Sequence, residues 1–391
     1  MHFPKSPLAI LLITPIFCGE TPRIAQDLTV HEWGTFTSVA GDDGSPVDWN
    51  TLGSCSDLPK FVNDFGFRNF KATIQGTVRM ETPVMYFYTP RELDVNVKVV
   101  FPKGVMTEWY PQADNQILQG ASLRPLPRNL NGIDLSLRSA TGAIEWKNVK
   151  VQPDTSPILP TESGPNRYYA ARETDAAPIT VGDQHEKFLF YRGVGRFPVP
   201  LSARVSPDGK VLVENRTHDP VASVILFENH AGRLGYRKAG AVQDTVTIDS
   251  PSLDGSLAQL EADLESALIE QGLFPKEAKA MVATWQDSWL EEGSRLIYIL
   301  STRVVDAYLP LQMDPAPSAI ARIFVGRVEL ITPDAERTVT AAIAQSDWTT
   351  LDLYARFLDP ILSRIVAGNP SEADFIYRTL QARHVSAGTC R

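Results

Sequence analysis

Residues 166–175 (NRYYAARETD) gather the kinds of side chain that a ligand-binding loop uses. The residues concerned are Tyr168, Tyr169, Arg172, Glu173 and Asp175. Two aromatic rings, one cation and two carboxylates in so short a stretch favour a binding site, because charged groups held together in a cleft are enriched at functional sites. The alternative is a salt-bridged connection between strands, in which Arg172 pairs with Glu173 or Asp175, because exposed ion pairs are common and contribute little to stability.

Two further residues complete the predicted ligand-binding site. Arg192 lies in 191–196 (YRGVGR), where the glycines let the backbone approach a ligand closely. That Gly-x-Gly lacks the surrounding strand–helix–strand context and the Gly-Lys-Ser/Thr ending of a phosphate loop, so no phosphate site is predicted. His31 belongs to a His-Glu pair on a predicted strand, where it and Glu32 point to opposite faces.

Catalytic motifs give weaker signals. Glu108 lies between Thr107 and Trp109, and a carboxylate beside aromatic rings is typical of a sugar-binding or glycosidase site, and equally of a strand end with core aromatics. Neither Gly-x-Ser-x-Gly nor Ser-x-x-Lys occurs, which disfavours nucleophilic hydrolases. Catalytic residues therefore stay unassigned.

Metal ligands are present only as scattered residues. Four histidines, at positions 31, 185, 218 and 230, could converge with carboxylates in space, but no His-Glu-x-x-His or zinc-type Cys/His spacing supports a site. We predict no metal and no cofactor.

Charge and the N-terminal residues bear on partners and localisation. The chain has 37 Lys and Arg against 46 Asp and Glu, a net charge of -9, without a basic block, which excludes nucleic acid and anionic membrane surfaces as expected partners.

Lys5 precedes an apolar run at 8–18 (LAILLITPIFC) that is too short to span a bilayer, so residues 1–25 are predicted to be a signal peptide. We expect a periplasmic or extracellular protein without a transmembrane span in its mature chain. Cys55 and Cys390 would then form either one disulfide or two separate thiols.

Strand patterns dominate residues 26–250. Residues 94–101 (DVNVKVVF) alternate apolar and polar side chains, which predicts a half-buried strand. Residues 201–205 and 211–215 flank Pro-Asp-Gly-Lys, a turn sequence that predicts a hairpin. Several such strands predict an antiparallel sandwich-like domain.

Helical spacing takes over in residues 251–391. Leu257, Leu260, Leu264 and Leu268 recur at the helical period, and Pro275 is placed to begin a second helix. Residues 296–300 and 323–331 predict two added strands, separated by a loop that contains Pro310, Pro315 and Pro317. Further helices are expected after Pro333, one of them over 351–366 with a kink at Pro360. The predicted fold class is therefore α+β, with a β-sandwich-like half followed by an α-rich half.

Five strings resemble those of a family of uncharacterised exported bacterial proteins. They are HEWGTFTS (31–38), METPVMYFY (80–88), TEWYP (107–111), YYAARETDA (168–176) and FYRGVG (190–195). The resemblance implies export from a bacterial cell and attaches no activity. With the residue patterns, it favours an exported binding or scaffold module for an unknown ligand or envelope component. The competing hypothesis is a metal-assisted or carboxylate-based hydrolase of envelope or environmental polymers.

Overall fold

The computed structural model describes residues 23–52, 58–65, 72–125, 133–354, 357–373 and 375–376. Residues 1–22 of the predicted signal peptide, Cys55 and Cys390 lie outside these residues, so export and the disulfide remain predictions. The last residues of the predicted signal peptide, 23–25, are described, and the first strand begins among them, at Ile24. Within the described ranges, no helix is both long enough and apolar enough to cross a membrane.

Strands make up most of the chain before residue 250. In chain order these strands are β1 (Ile24–Ala40), β2 (Trp49–Asn50), β3 (Asn63–Asp64), β4 (Ala72–Thr73), β5 (Gln75–Gly76), β6 (Val78–Tyr88), β7 (Leu93–Pro102), β8 (Gly104–Tyr110), β9 (Asn115–Gln119), β10 (Ser122–Pro125), β11 (Ile133–Ser136), β12 (Thr141–Val151), β13 (Ile179–Val181), β14 (Gln184–Glu186), β15 (Leu189–Gly195), β16 (Leu201–Val205), β17 (Val211–Asn215), β18 (Val221–His230), β19 (Arg233–Val242) and β20 (Thr245–Ile248).

The α-helices follow, with three more strands among them. They are α1 (Leu257–Glu270), α2 (Pro275–Trp289), β21 (Gly293–Leu300), α3 (Thr302–Tyr308), β22 (Leu311–Asp314), β23 (Ala316–Leu330), α4 (Pro333–Gln345), α5 (Trp348–Leu353) and α6 (Leu358–Gly368). The predicted α+β class is confirmed. Local signals explain the helix starts: the Ser256 side chain caps α1, and Pro275 occupies the first turn of α2.

A nine-stranded sheet forms the centre of the molecule. Its order is β19-β18-β21-β23-β1-β6-β15-β8-β3. Neighbouring strands run antiparallel except β1 and β23, which are parallel over a register from Ile24–Ala316 to Ala40–Leu330. The two strands predicted in the C-terminal half, β21 and β23, therefore lie inside this sheet, between β18 and β1.

Each face of the central sheet is covered by a different layer. On one face, residues such as Val30 and Phe324 share a core with Val97 and Trp146 of the sheet β14-β13-β12-β7-β22. On the other, which we call the helix-side face, Trp33, Val84, Phe190 and Ile323 pack with helices α1 and α2. Helices α4, α5 and α6 enclose a further cluster with Val39 and Trp49.

The main departures from the predicted elements come after residue 300. The prolines at 310, 315 and 317 predicted a loop, yet α3 and β22 form there and β23 begins at Ala316. The helix predicted over 351–366 with a kink at Pro360 forms instead as two helices, α5 and α6. Pro360 lies in the first turn of α6, where backbone N–H groups make no hydrogen bonds within the helix, so the N–H that proline lacks is not needed there.

Candidate functional site

Tyr168, Tyr169 and Arg172 lie on a short 3-10 helix, Arg167–Arg172, where the sequence predicted a loop. Asn166 begins this helix because its side chain accepts a hydrogen bond from the backbone N–H of Tyr168 at 2.8 Å. Arg167 ties the helix to α2 by donating to Asp287, to the Ala283 carbonyl and to Gln286. The short helix is thus fixed on the outer side of α2.

Arg172 is held by a carboxylate that the sequence did not point to. Its Nε and Nη2 atoms donate to the two oxygens of Glu186 at 2.9 and 2.6 Å, a bidentate pairing. Glu186 has no exposed surface, and it also accepts from the Tyr168 hydroxyl at 3.2 Å and from the Lys187 N–H at 2.8 Å. Burial raises the pKa of Glu186, while Arg172 acts in the opposite direction. The expected alternative pairing of Arg172 with Glu173 or Asp175 is wrong.

This cluster also fastens the preceding segment of the chain. Arg172 Nη2 donates to the Pro160 carbonyl at 2.9 Å, and its guanidinium lies 4.8 Å from the centre of the Tyr169 ring. The Tyr169 hydroxyl accepts from the backbone N–H of Glu162 at 2.9 Å. Arg172 and Tyr169 therefore act as anchors for residues 152–166, which we call the anchored segment.

The two acidic residues that follow have separate positions. Glu173 is exposed. Asp175 pairs with Lys276 of α2 at 2.5 Å, but both side chains are more than 60% exposed, so this ion pair contributes little. Neither carboxylate joins the Arg172–Glu186 cluster.

His31 of β1 lies beneath the first turn of α2 and is 5% exposed. Its Nδ1 donates to Glu277 at 2.7 Å, and Glu277 also accepts from the Tyr88 hydroxyl and from the Phe274 N–H, each at 2.8 Å. The Phe274 ring lies 4.3 Å from the imidazole. A carboxylate that orients a histidine is the arrangement of a general base, and here the same carboxylate also caps α2 and fixes it to the sheet.

Arg192 lies on the helix-side face, on β15, with β6 and β8 as its neighbouring strands. It is 3% exposed, faces the Trp285 ring of α2 at 5.9 Å, and lies directly across the strand pair from Glu108. The structure therefore brings Arg192 together with the carboxylate that the sequence marked as a weaker candidate. The Phe190 ring lies beside both Arg192, at 5.7 Å, and Tyr168, at 5.4 Å.

Sequence reasoning missed most of the charged residues on this face. Seven arginine and glutamate side chains on it are at most 5% exposed; they are Arg79, Glu81, Glu108, Arg192, Arg295, Arg327 and Glu329. Glu81 accepts from Thr37 at 2.7 Å and lies 3.4 Å from Arg79, while Arg295 donates to Glu329 at 2.9 Å. Burial raises the pKa of Glu329. Four of the five family-like strings supply strands to this face, β1, β6, β8 and β15.

The histidines considered as metal ligands contact different groups. His31 bonds Glu277, His185 bonds Thr180 at 2.9 Å, and His230 lies 3.8 Å from Glu228 and 3.6 Å from Glu292. Among the residues placed by the structure, no three His, Cys, Asp or Glu side chains are grouped as metal ligands.

Comparison with known proteins gives no family. No family model matches the chain, and no curated protein matches it. The structure is similar to the yeast delta-COP-I mu-homology domain, with a TM-score of 0.28 and 10% identity over 78% of this chain and 98% of that one. It is also similar to that domain complexed with Dsl1 WxWxV peptide, with a TM-score of 0.25 and 10% identity over 78% and 96% of the two chains. Similarity at this level assigns no function, so the site is interpreted from its own geometry.

Proposed function

We propose that the chain is an exported binding or scaffold protein, and that the anchored segment docks a partner protein. One observation carries this proposal: Ile158, in the middle of the segment, is 93% exposed although the backbone on both sides of it is fastened to the fold. A large apolar side chain held in water gains free energy when a partner covers it.

The fastening is distributed along the segment. At its start, the Gln152 N–H donates to the Pro178 carbonyl at 2.9 Å. After Ile158, Arg172 holds the Pro160 carbonyl, and Glu162 accepts from the Lys60 N–H at 2.7 Å. The segment is therefore ordered before a partner arrives, which lowers the entropy cost of binding.

The sequence of the anchored segment indicates the partner's chemistry. It contains prolines at 153, 157, 160 and 165, each of which fixes one backbone angle and removes one N–H donor. Extended proline-containing peptides are bound in grooves lined by apolar and aromatic side chains. We infer a protein partner with such a groove, in which Ile158 fills the central position.

A photo-crosslinking experiment tests the proposal. A photoreactive amino acid at a neighbouring exposed position, Ser156, is used to capture partners in the envelope fraction of the native bacterium. The captured protein is then purified and titrated with wild-type chain, with Ile158→Asp and with Ile269→Asp, a matched change at another exposed isoleucine. We expect only Ile158→Asp to lose affinity, by about 100-fold, as a central apolar contact worth about 2–3 kcal/mol is removed. Equal affinity of the two variants, or failure of wild type to bind any captured protein once purified, contradicts the proposal.

Export is a separate part of the proposal and rests on the sequence alone. Lys5 and the apolar run at 8–18 support it. Fractionation followed by N-terminal sequencing tests it: we expect a mature chain that starts between residues 19 and 27 in the exported fraction, and a cytoplasmic chain that begins at Met1 contradicts it.

A carboxylate-based hydrolase is the second candidate, because Glu81 and Glu108 lie on the same face with Arg192 between them. Their strands, β6 and β8, are separated only by β15, so the two backbones are about 9–10 Å apart. Inverting glycosidases likewise use two separate carboxyl groups, one as general acid and one as general base. Release of reducing ends from peptidoglycan or other polysaccharides by wild type, and its loss in Glu108→Gln, would favour this candidate over the binding module.

A further inference from the structure

A second feature, remote from the anchored segment, is a cavity of about 320 Å³. It lies on the face of the central sheet opposite the helix-side face. It lies where the ends of β18 and β21 meet the β16–β17 turn and the first turn of α4. The residues that matter for its chemistry are Asp208, Glu228, His230, Ser294, Asp334 and Arg337. Its volume falls within the lower range of small-molecule sites.

Ser294 supplies the observation that points to a ligand. This residue lines the cavity, is 2% exposed, and its hydroxyl has no hydrogen-bond partner among the described residues. A buried hydroxyl without a partner loses its hydrogen bonds to water and gains none in return, so native structures nearly always satisfy it. A molecule in the cavity would remove that cost.

Glu228 stands beside Ser294 on the neighbouring strand. The two residues are directly paired across β18 and β21, so their side chains share one face of the sheet. The Glu228 side chain is 12% exposed, and its ion-pair contact is His230, at 3.8 Å, which is too long for a hydrogen bond. Both oxygens of Glu228 are therefore able to accept hydrogen bonds from a ligand.

The charges around the cavity exclude simple ions as the preferred ligand. The N-terminus of α4 lies at this cavity and would attract an anion, but the three carboxylates of Asp208, Glu228 and Asp334 would repel it. A cation would meet His230, whose pKa the Glu228 carboxylate raises, and Arg337, which already pairs with Asp334 at 2.9 Å. Mixed donors and acceptors instead suit neutral hydroxyl groups, each of which donates one hydrogen bond and accepts others.

We propose that this cavity binds a neutral polyhydroxylated ligand the size of a sugar unit, with Ser294 and Glu228 hydrogen-bonded to adjacent ligand hydroxyls. Val205, Pro207, Val211 and Pro333 form the apolar wall that packs against the C–H faces of such a ring. The site is independent of the partner surface proposed above, and it adds a small-molecule ligand to the protein.

Ligand-observed NMR and calorimetry on the full chain test this inference. The probes are glucose, N-acetylglucosamine and cellobiose, with inorganic phosphate and spermidine as the anionic and cationic comparisons. Concentrations up to about 50 mM detect even a millimolar Kd, which corresponds to about -4 kcal/mol. We expect at least one sugar to bind and both ions to bind more weakly.

Two variants connect binding to the cavity. Ser294→Ala should weaken the sugar affinity about tenfold, as one buried hydrogen bond is lost, without lowering thermal stability, because the hydroxyl that it removes has no protein partner. Glu228→Gln should weaken it as well, and gives a second readout if Ser294→Ala proves unstable. Ser266→Ala, at a serine that lines a different cavity, should leave the affinity unchanged. Absence of sugar binding, preference for phosphate or spermidine, or equal affinity of wild type and both cavity variants overturns the inference.

Discussion

Replacing Arg172 tests whether the Arg172–Glu186 cluster stabilises the fold or contacts a ligand. In Arg172→Met the apolar stem is kept and the guanidinium is removed. Glu186, which has no exposed surface, then retains only the Tyr168 hydroxyl and its own neighbouring N–H as donors. A buried carboxylate that loses its cation is expected to destabilise a protein by about 3–5 kcal/mol.

The double variant Arg172→Met/Glu186→Leu separates the two explanations. It removes the charge on both sides, so the desolvation cost of Glu186 disappears with the carboxylate. The remaining losses are the hydrogen bonds of the Tyr168 hydroxyl, the Lys187 N–H and the Pro160 carbonyl, about 2–4 kcal/mol together. We therefore expect the double variant to be more stable than Arg172→Met, with a coupling energy of at least about 2 kcal/mol.

Urea unfolding followed by circular dichroism measures these differences. The free energy of unfolding is taken from the midpoint and slope of each curve, with an unchanged slope as the condition for comparison. If Arg172→Met costs less than about 1 kcal/mol, or if the two single changes add, the cluster is not a buried ion pair that holds the structure. Arg172 would then be available to a ligand, as the sequence first indicated.

Three further predictions concern the core. Glu277→Gln should lower the free energy of unfolding by about 1–3 kcal/mol, because its hydrogen bonds to His31, Tyr88 and the Phe274 N–H are weakened. The control is Glu270→Gln, on the exposed side of α1, which should have almost no effect in the same urea assay. Burial raises the pKa of Glu329 above its usual 4.5, so the folded state binds a proton at this carboxylate more readily than the unfolded state does. As the pH falls from 7 toward 4.5, wild type should therefore gain stability relative to Glu329→Gln. A difference in urea midpoints that stays constant over this pH range contradicts the prediction. In Gly326→Ala the new methyl group would lie 2.1 Å from the Tyr298 ring, so the free energy of unfolding should fall by about 1–3 kcal/mol or more and the melting temperature with it. In the control Gly368→Ala the new methyl group meets no atom within 4 Å, so this variant should melt near the wild-type temperature.

The local parts of the fold were predictable from sequence. Alternation over 94–101 gave β7 to within a residue at either end, and the Pro-Asp-Gly-Lys turn gave the β16–β17 hairpin with both strands as observed. These signals are carried by adjacent residues, so no distant contact is needed to interpret them. Strand β23 was predicted only from 323, because its first residues alternate poorly and are more exposed.

The candidate site was predictable only in part, since its partners are distant in sequence. The density of charged residues pointed to Arg172, whose role as a ligand-binding residue stays a prediction, and the carboxylate that holds it is Glu186, on β14, after an intervening strand. His31 is held by Glu277, 246 positions away. Alternating polar residues such as Arg327 and Glu329 would usually indicate a solvent-facing side of a strand, yet their face is covered by α2 and the two residues are at most 3% exposed.

The parallel pairing of β1 with β23 determines when the protein is able to fold. Strand β1 has β6 on one side, a partner that follows it by a few dozen residues, but its other ladder needs residues 316–330. Until those residues are available, β1 presents an open edge of unpaired backbone groups, and contacts of such long sequence separation form slowly. A chain that ends before Ala316 would keep this edge permanently and recruit strands from other molecules. A nascent chain would therefore stay open to such pairing until nearly the whole sequence has emerged.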